Sequence, residues 1–255
     1  MNIDLSKIER GAYTVYFNKK DETVVLELLK CLEDAEKNIC DVFCLKVPYI
    51  CTFFLLESAE ELESIMGVTP KIGEKLRVDY RSSTILFYMD RIRSENIGEA
   101  ALKELGHLIF NNMVDERENA VRQWRSPSWL REGFALQLSY LSRIDREDWL
   151  KTGWLELQSI YKEGKLIPLS VLEKDINYIP NPTRRYIALF QAYFMVRLLI
   201  VTCGDCFFEN YANTMRRMPD SPANEVFLKF TNTDFEKFYG MFKICVENNA
   251  DLMPA

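Results

Sequence analysis

The 255-residue chain carries 32 lysines and arginines against 38 aspartates and glutamates, a formal charge of −6, and 48% of it is hydrophobic, the make-up of a folded chain with a sizeable core. That acidic balance offers no basic face for a phosphate backbone, the Arg184-Arg185 and Arg216-Arg217 pairs being too short to supply one, so nucleic acid is not an expected partner. A single histidine, His107, rules out zinc sites of the His₃ or His₂Glu type and His-rich copper or iron sites.

Residues 13–17 alternate as a strand, and residues 21–41 then place Val25, Leu28, Leu29, Leu32, Ala35 and Ile39 at helical spacing, so a strand leads into an amphipathic helix. Residues 48–56, rich in Ile, Phe and Thr, read as a second strand. A short helix follows, opened by the capping pattern Ser58-Ala-Glu-Glu61 and closed by Gly67. Residues 84–89 make a third strand, and residues 97–113 a long helix with Leu102, Leu105, Leu108 and Ile109 on its apolar side. From Pro127 onward the periodicity is helical, over 129–142, 147–161, 186–201, 225–230 and 233–247. Loops fall at Pro168 and 179–182, and Pro219 and Pro222 break the chain. The expected fold is α+β, a single domain over 1–255 in which a small mixed N-terminal lobe, 1–113, precedes an all-helical lobe, 114–255, with a cleft between them.

The N-terminus lacks a charged stretch followed by an apolar core and a cleavage site, so no secretory signal is expected and the protein is placed in the cytoplasm. The longest apolar run, 193–201, is interrupted by Arg197 and reads as too short to cross a bilayer, so no membrane partner is expected. Seven cysteines, an odd number, argue for buried, reduced thiols and against a disulfide framework. Cys203-Gly-Asp-Cys206 nevertheless has the C-x-x-C spacing of redox and zinc-knuckle motifs, and Cys40 and Cys44 share one helical face. Packing thiols are the expected role, with redox or structural zinc as the alternative. The tryptophans at 124, 129, 149 and 154 fall in the first half of the helical lobe, where core packing is the default.

In Lys103-Glu-Leu-Gly-His107 the outer residues stand at i and i+4 on one helix face, with Glu104 beside them. Those are the positions of an H-E-x-x-H helix, in which two imidazoles bind Zn²⁺ and the glutamate takes a proton from the metal-bound water. Here lysine replaces the first imidazole. Taken alone, adjacent Lys and Glu usually mark a solvated helix face. Glu104 and His107 also have the spacing of di-iron bundles, but those need a second copy with its own histidine. No G-x-S-x-G elbow, Walker loop or G-x-G-x-x-G occurs.

Beyond His107 stands Pro127-Ser-Trp-Leu-Arg-Glu-Gly-Phe-Ala135. It resembles the W-L-x-E-G-x-A helix that supplies the third zinc ligand in the gluzincin branch of the peptidase MA superfamily, metallopeptidases of the zincin fold. The resemblance implies metal-ligand positions at His107 and Glu132 and a general base at Glu104. The segment from Arg185 to Tyr193 is similar to the family helix whose tyrosine helps stabilise the oxyanion; Tyr186 matches that tyrosine, and Tyr193 is the weaker match. It also implies that the strand at 84–89 lines the cleft and pairs with an extended peptide.

A catalytic zinc needs three protein ligands and an open position, whereas a lysine ammonium has no free lone pair and repels the ion. The expected protein is therefore a degenerate relative, a metal-free pseudopeptidase that binds a peptide or protein segment in the former active-site cleft. The Lys103 ammonium would stand in the place of the metal's charge and pair with Glu132, Glu104 or both, and no cofactor is then expected. Two alternatives retain activity. In one, Asp115, Glu116 or Glu118 replaces the lost ligand, giving a hydrolase that uses Zn²⁺ or a harder divalent metal. In the other, Glu104, His107 and a Lys103 of lowered pKa act without metal on a peptide-like substrate.

Overall fold

Short alternating segments and one long amphipathic helix build the first part of the chain. The computed structural model describes residues 5–66, 69, 75–92, 97–114, 126–142, 146–204 and 206–249. Five strands, β1 (Ser6–Arg10), β2 (Tyr13–Phe17), β3 (Cys51–Leu56), β4 (Leu76–Asp79) and β5 (Thr84–Tyr88), form one sheet in the order β1-β2-β3-β5-β4. The inner three run parallel, and the outer two are antiparallel to their neighbours. The parallel step from β2 to β3 requires a crossover, supplied by α1 (Glu22–Phe43). Every member of its expected apolar stripe, from Val25 to Ile39, is buried. Cys44 then ends the helix in the left-handed conformation, with φ 51°.

The outer strands β1 and β4 are not among the sequence expectations. Their sequences, Ser-Lys-Ile-Glu-Arg and Leu-Arg-Val-Asp, are short and charged, as edge strands tend to be, and show no clean alternation. β5 is hydrogen-bonded on both sides, to β3 and to β4. The expectation that it pairs with a peptide is thus corrected, because its backbone groups are already used; the strand that lies at that edge is β4. Burial on both faces accounts for the unbroken apolar run of β5. Ile85 and Phe87 join the main core, while Leu86 and Tyr88 pack on the other face with Leu56 and with Leu62 of α2 (Ala59–Met66).

After the short α3 (Met89–Ile92) come α4 (Ile97–Val114), α5 (Ser128–Ser139), α6 (Arg146–Lys162), α7 (Leu169–Leu172), α8 (Pro182–Cys203), α9 (Phe207–Arg217), α10 (Ala223–Thr231) and α11 (Phe235–Glu247). The helix α9 was not expected from sequence, although Phe207, Phe208, Tyr211, Ala212 and Met215 lie at helical spacing and are buried; the asparagine, threonine and arginine residues between them mask the pattern. α8 starts earlier than its apolar periodicity because Pro182 occupies the first turn and the Asn181 side chain accepts from the Arg184 N–H at 2.9 Å. At 22 residues it is long and apolar enough to cross a membrane by length and composition, which the run at 193–201 alone did not suggest. In this fold 67% of its most apolar window is buried inside the protein.

α5 is the axis of the helical part, buried at nearly every position and packed between α4 and α8. Two glycines allow that packing. A Cβ on Gly106 of α4 would lie 2.9 Å from the Ala135 Cα, and one on Gly133 of α5 would lie 2.2 Å from the Ala192 carbonyl oxygen of α8. The architecture is mixed, a small five-stranded sheet with a helical C-terminal part, joined by one continuous core that runs from β2, β3 and β5 through α1, α4, α5, α8 and α9 to α11.

Candidate functional site

The close approach of α4 and α5 at Gly106 sets the site. Lys103 and His107, one turn apart on α4, face Glu132 on α5. Lys103 Nζ and His107 Nε2 each lie 3.5 Å from the same carboxylate oxygen, Glu132 Oε2. That oxygen is buried and makes no hydrogen bond among the described residues, because both nitrogens stand just beyond hydrogen-bonding length. The Glu132 side chain is 4% exposed, that of His107 13% and that of Lys103 25%.

The second oxygen, Glu132 Oε1, accepts from Asn177 Nδ2 at 2.8 Å. Asn177 sits in a single 3₁₀ turn, Ile176–Tyr178, pinned by three bonds. Ser128 Oγ, on the first turn of α5, accepts from the Ile176 N–H at 3.1 Å, and Asp175 accepts from the Asn177 N–H at 3.0 Å. Arg185 Nη1 donates to the Asn177 carbonyl at 3.4 Å. Tyr80, just after β4, completes the surroundings by hydrogen-bonding Asn111 of α4 and feeling the charges of Glu104, Arg131 and Glu132. Neither Asn177 nor Tyr80 belongs to a sequence motif; each lies in a turn that only the tertiary fold brings to α4 and α5.

Burial alone would raise the Glu132 pKa, but His107, Lys103 and Asn177 outweigh it and hold the carboxyl well below the usual carboxylate range. Burial would likewise lower the Lys103 pKa, yet the negative charges of Glu132 and Glu104 prevail and raise it. That balance favours the ammonium form of Lys103. Burial, reinforced by Glu104, pushes the Tyr80 phenol up to about 12, so it is a neutral hydrogen-bonding group at ordinary pH.

The structure brings together four of the five expected site residues, Lys103, Glu104, His107 and Glu132. Tyr186 lies apart from them. It is 50% exposed, donates from its hydroxyl to Glu156 at 3.4 Å and stacks on Phe190. Tyr193, the weaker match, is buried in an aromatic cluster with Tyr140 and Trp149. Asp115, Glu116 and Glu118, the candidate substitute ligands, lie outside the described residues, as do Trp124 and Gly67.

A tetrahedral zinc with nitrogen and oxygen ligands at about 2.0–2.2 Å would hold those atoms on the order of 3.4 Å apart. The spacing around Glu132 Oε2 matches, but the donors do not. His107 and Glu132 offer lone pairs, whereas Lys103 offers an ammonium, so the three residues do not fit a catalytic zinc. No protein-family model matches the chain, and no curated protein matches it either.

Proposed function

We propose that the protein is a degenerate relative of the gluzincin metallopeptidases, with a zincin-type fold, that works without metal as a pseudopeptidase and binds a peptide or protein segment in the former active-site cleft. One observation carries the reading: a single buried oxygen, Glu132 Oε2, faces both His107 Nε2 and Lys103 Nζ at 3.5 Å. Those three positions are the ones the two motifs assign to zinc ligands, and the ammonium supplies the positive charge that the ion would bring. Glu104 then has no metal-bound water to deprotonate and instead adds to the negative field around Lys103. The peptide-pairing role passes to β4, whose outer side is the sheet edge and whose end leads into Tyr80 beside Glu104 and Glu132.

The test is metal content by elemental mass spectrometry after zinc incubation and desalting, in a Cys206→Ser background so that surface thiols do not add to the count. The protein with Lys103 intact should retain no stoichiometric metal, and Lys103→His should gain one zinc per chain. Near-equimolar metal with Lys103 in place would overturn the metal-free reading. A folded Lys103→His protein that gains none would overturn the assignment of Glu132 as a former ligand.

A further inference from the structure

Not all of the thiols are packing groups. Burial pushes the Cys51 thiol up to about 12 and raises those of Cys40 and Cys245, which keeps all three protonated at ordinary pH. Cys44 and Cys206 are placed differently. Cys44 closes α1 and Cys206 stands directly before α9, two helices that pack against each other. Their sulfurs, 162 positions apart in sequence, are 2.6 Å from one another. The Glu209 carboxylate, in the first turn of α9, lies within 4.8 Å of both. Cys206 is exposed and Cys44 half-buried, so solutes reach the pair.

Two chemistries suit such a group, and the spacing separates them. A disulfide bond is about 2.05 Å long, so the sulfurs need close by only about half an ångström to form one. Two thiolates on one tetrahedral zinc, each at about 2.3 Å, stand on the order of 3.8 Å apart, so that use needs them to separate by about 1 Å. We propose that Cys44 and Cys206 are a reactive dithiol site, converted to a reversible disulfide by exchange with small-molecule disulfides. One protein thiolate attacks a sulfur of the external disulfide; a mixed disulfide forms and one external thiolate leaves. The second protein thiolate then attacks the protein sulfur of that mixed bond, expelling the other external thiolate. The two protein protons end on the released thiolates, so two protein thiols are oxidised and one external disulfide is reduced to two thiols. External thiols reopen the bond by the reverse exchange.

The bond would join helices that both pack against α4, the element that carries Lys103 and His107. It is independent of what the cleft binds. The test treats the full chain with oxidised glutathione, blocks remaining thiols in acid, and maps peptides by mass spectrometry without reduction. The expected result is a loss of two of the seven thiols, no retained glutathione, and one cross-linked pair containing Cys44 and Cys206 that disappears in Cys44→Ser and on adding reductant. A Cys203–Cys206 link, a persistent glutathione adduct on Cys206, or no loss of thiols would overturn the proposal. So would one equivalent of zinc bound to the reduced chain and lost in Cys44→Ser, which would identify the pair as metal ligands.

Discussion

Glu132 is the most buried charge in the site, and its neighbours decide how the fold responds to pH. Its folded pKa lies below its unfolded value of about 4.3. The stability it contributes is therefore fully present above that value and is lost as pH falls through the depressed folded one. Lys103 has the opposite sign: its pKa is raised, so its contribution is present below about 10.4 and lost as pH rises through the higher folded value. Urea unfolding at about pH 7 and about pH 3 should show a steep loss of stability that Glu132→Gln makes shallower; an unchanged acid limb in that variant would count against the buried charge. Lys103→Met leaves the carboxylate facing His107 and Asn177 alone. Removing one partner of a fully buried pair costs about 3–5 kcal/mol. Because a quarter of the Lys103 side chain reaches solvent, about 2 kcal/mol is expected here, measured as a lower denaturation midpoint. The three residues that meet at Oε2 were legible in the sequence because helical spacing fixes Lys103 and His107 on one face and a second short motif supplies Glu132. Asn177 and Tyr80 were not, since nothing local to either turn specifies the helix it will rest against.

Among the elements, legibility follows burial on one face. α1 could be read residue by residue because one stripe faces the sheet and the other faces water. β1 and β4 could not, because edge strands carry charges that hide their period. The glycines of the two motifs show a further layer that spacing does not reveal: they set how closely neighbouring helices approach. In Gly133→Ala the added methyl would sit 2.2 Å from a backbone oxygen and 2.7 Å from Val196 Cγ2, so α5 and α8 must move apart. Overpacking typically costs about 1–3 kcal/mol, occasionally more, and a clash with backbone belongs at the upper end. Gly106→Ala meets Ala135 Cα and Leu138 Cδ1 at 2.9 Å and should cost less. Gly164→Ala is the control, with nothing within 4 Å but a φ of +65°; a loss of about 1 kcal/mol is expected there from backbone strain alone. Thermal melts of the three variants should rank Gly133 as most damaging, and equal midpoints would contradict the close crossing of α5 and α8.

For the whole molecule, the question is whether sheet and helices form one folding unit or two. The sequence suggests two lobes, because the periodicity changes from mixed to helical near residue 127. The structure joins them through α4, whose buried face packs against α1 and β5 on the sheet side and against α5 and α9 on the other. Cutting the chain after α4 would bare the face of α4 that packs against α5 and α9, so the N-terminal part would lose a share of the core it has in common with the helices. Two probes can test this, since the described tryptophans, Trp129, Trp149 and Trp154, all lie in the helical part, while Cys51 is a buried thiol on β3. Tryptophan fluorescence and the labelling of Cys51 should therefore report the same urea midpoint, as a single cooperative transition requires. If Cys51 became reactive at lower urea than the fluorescence change, the sheet would be unfolding before the helices, and the shared core would not couple them.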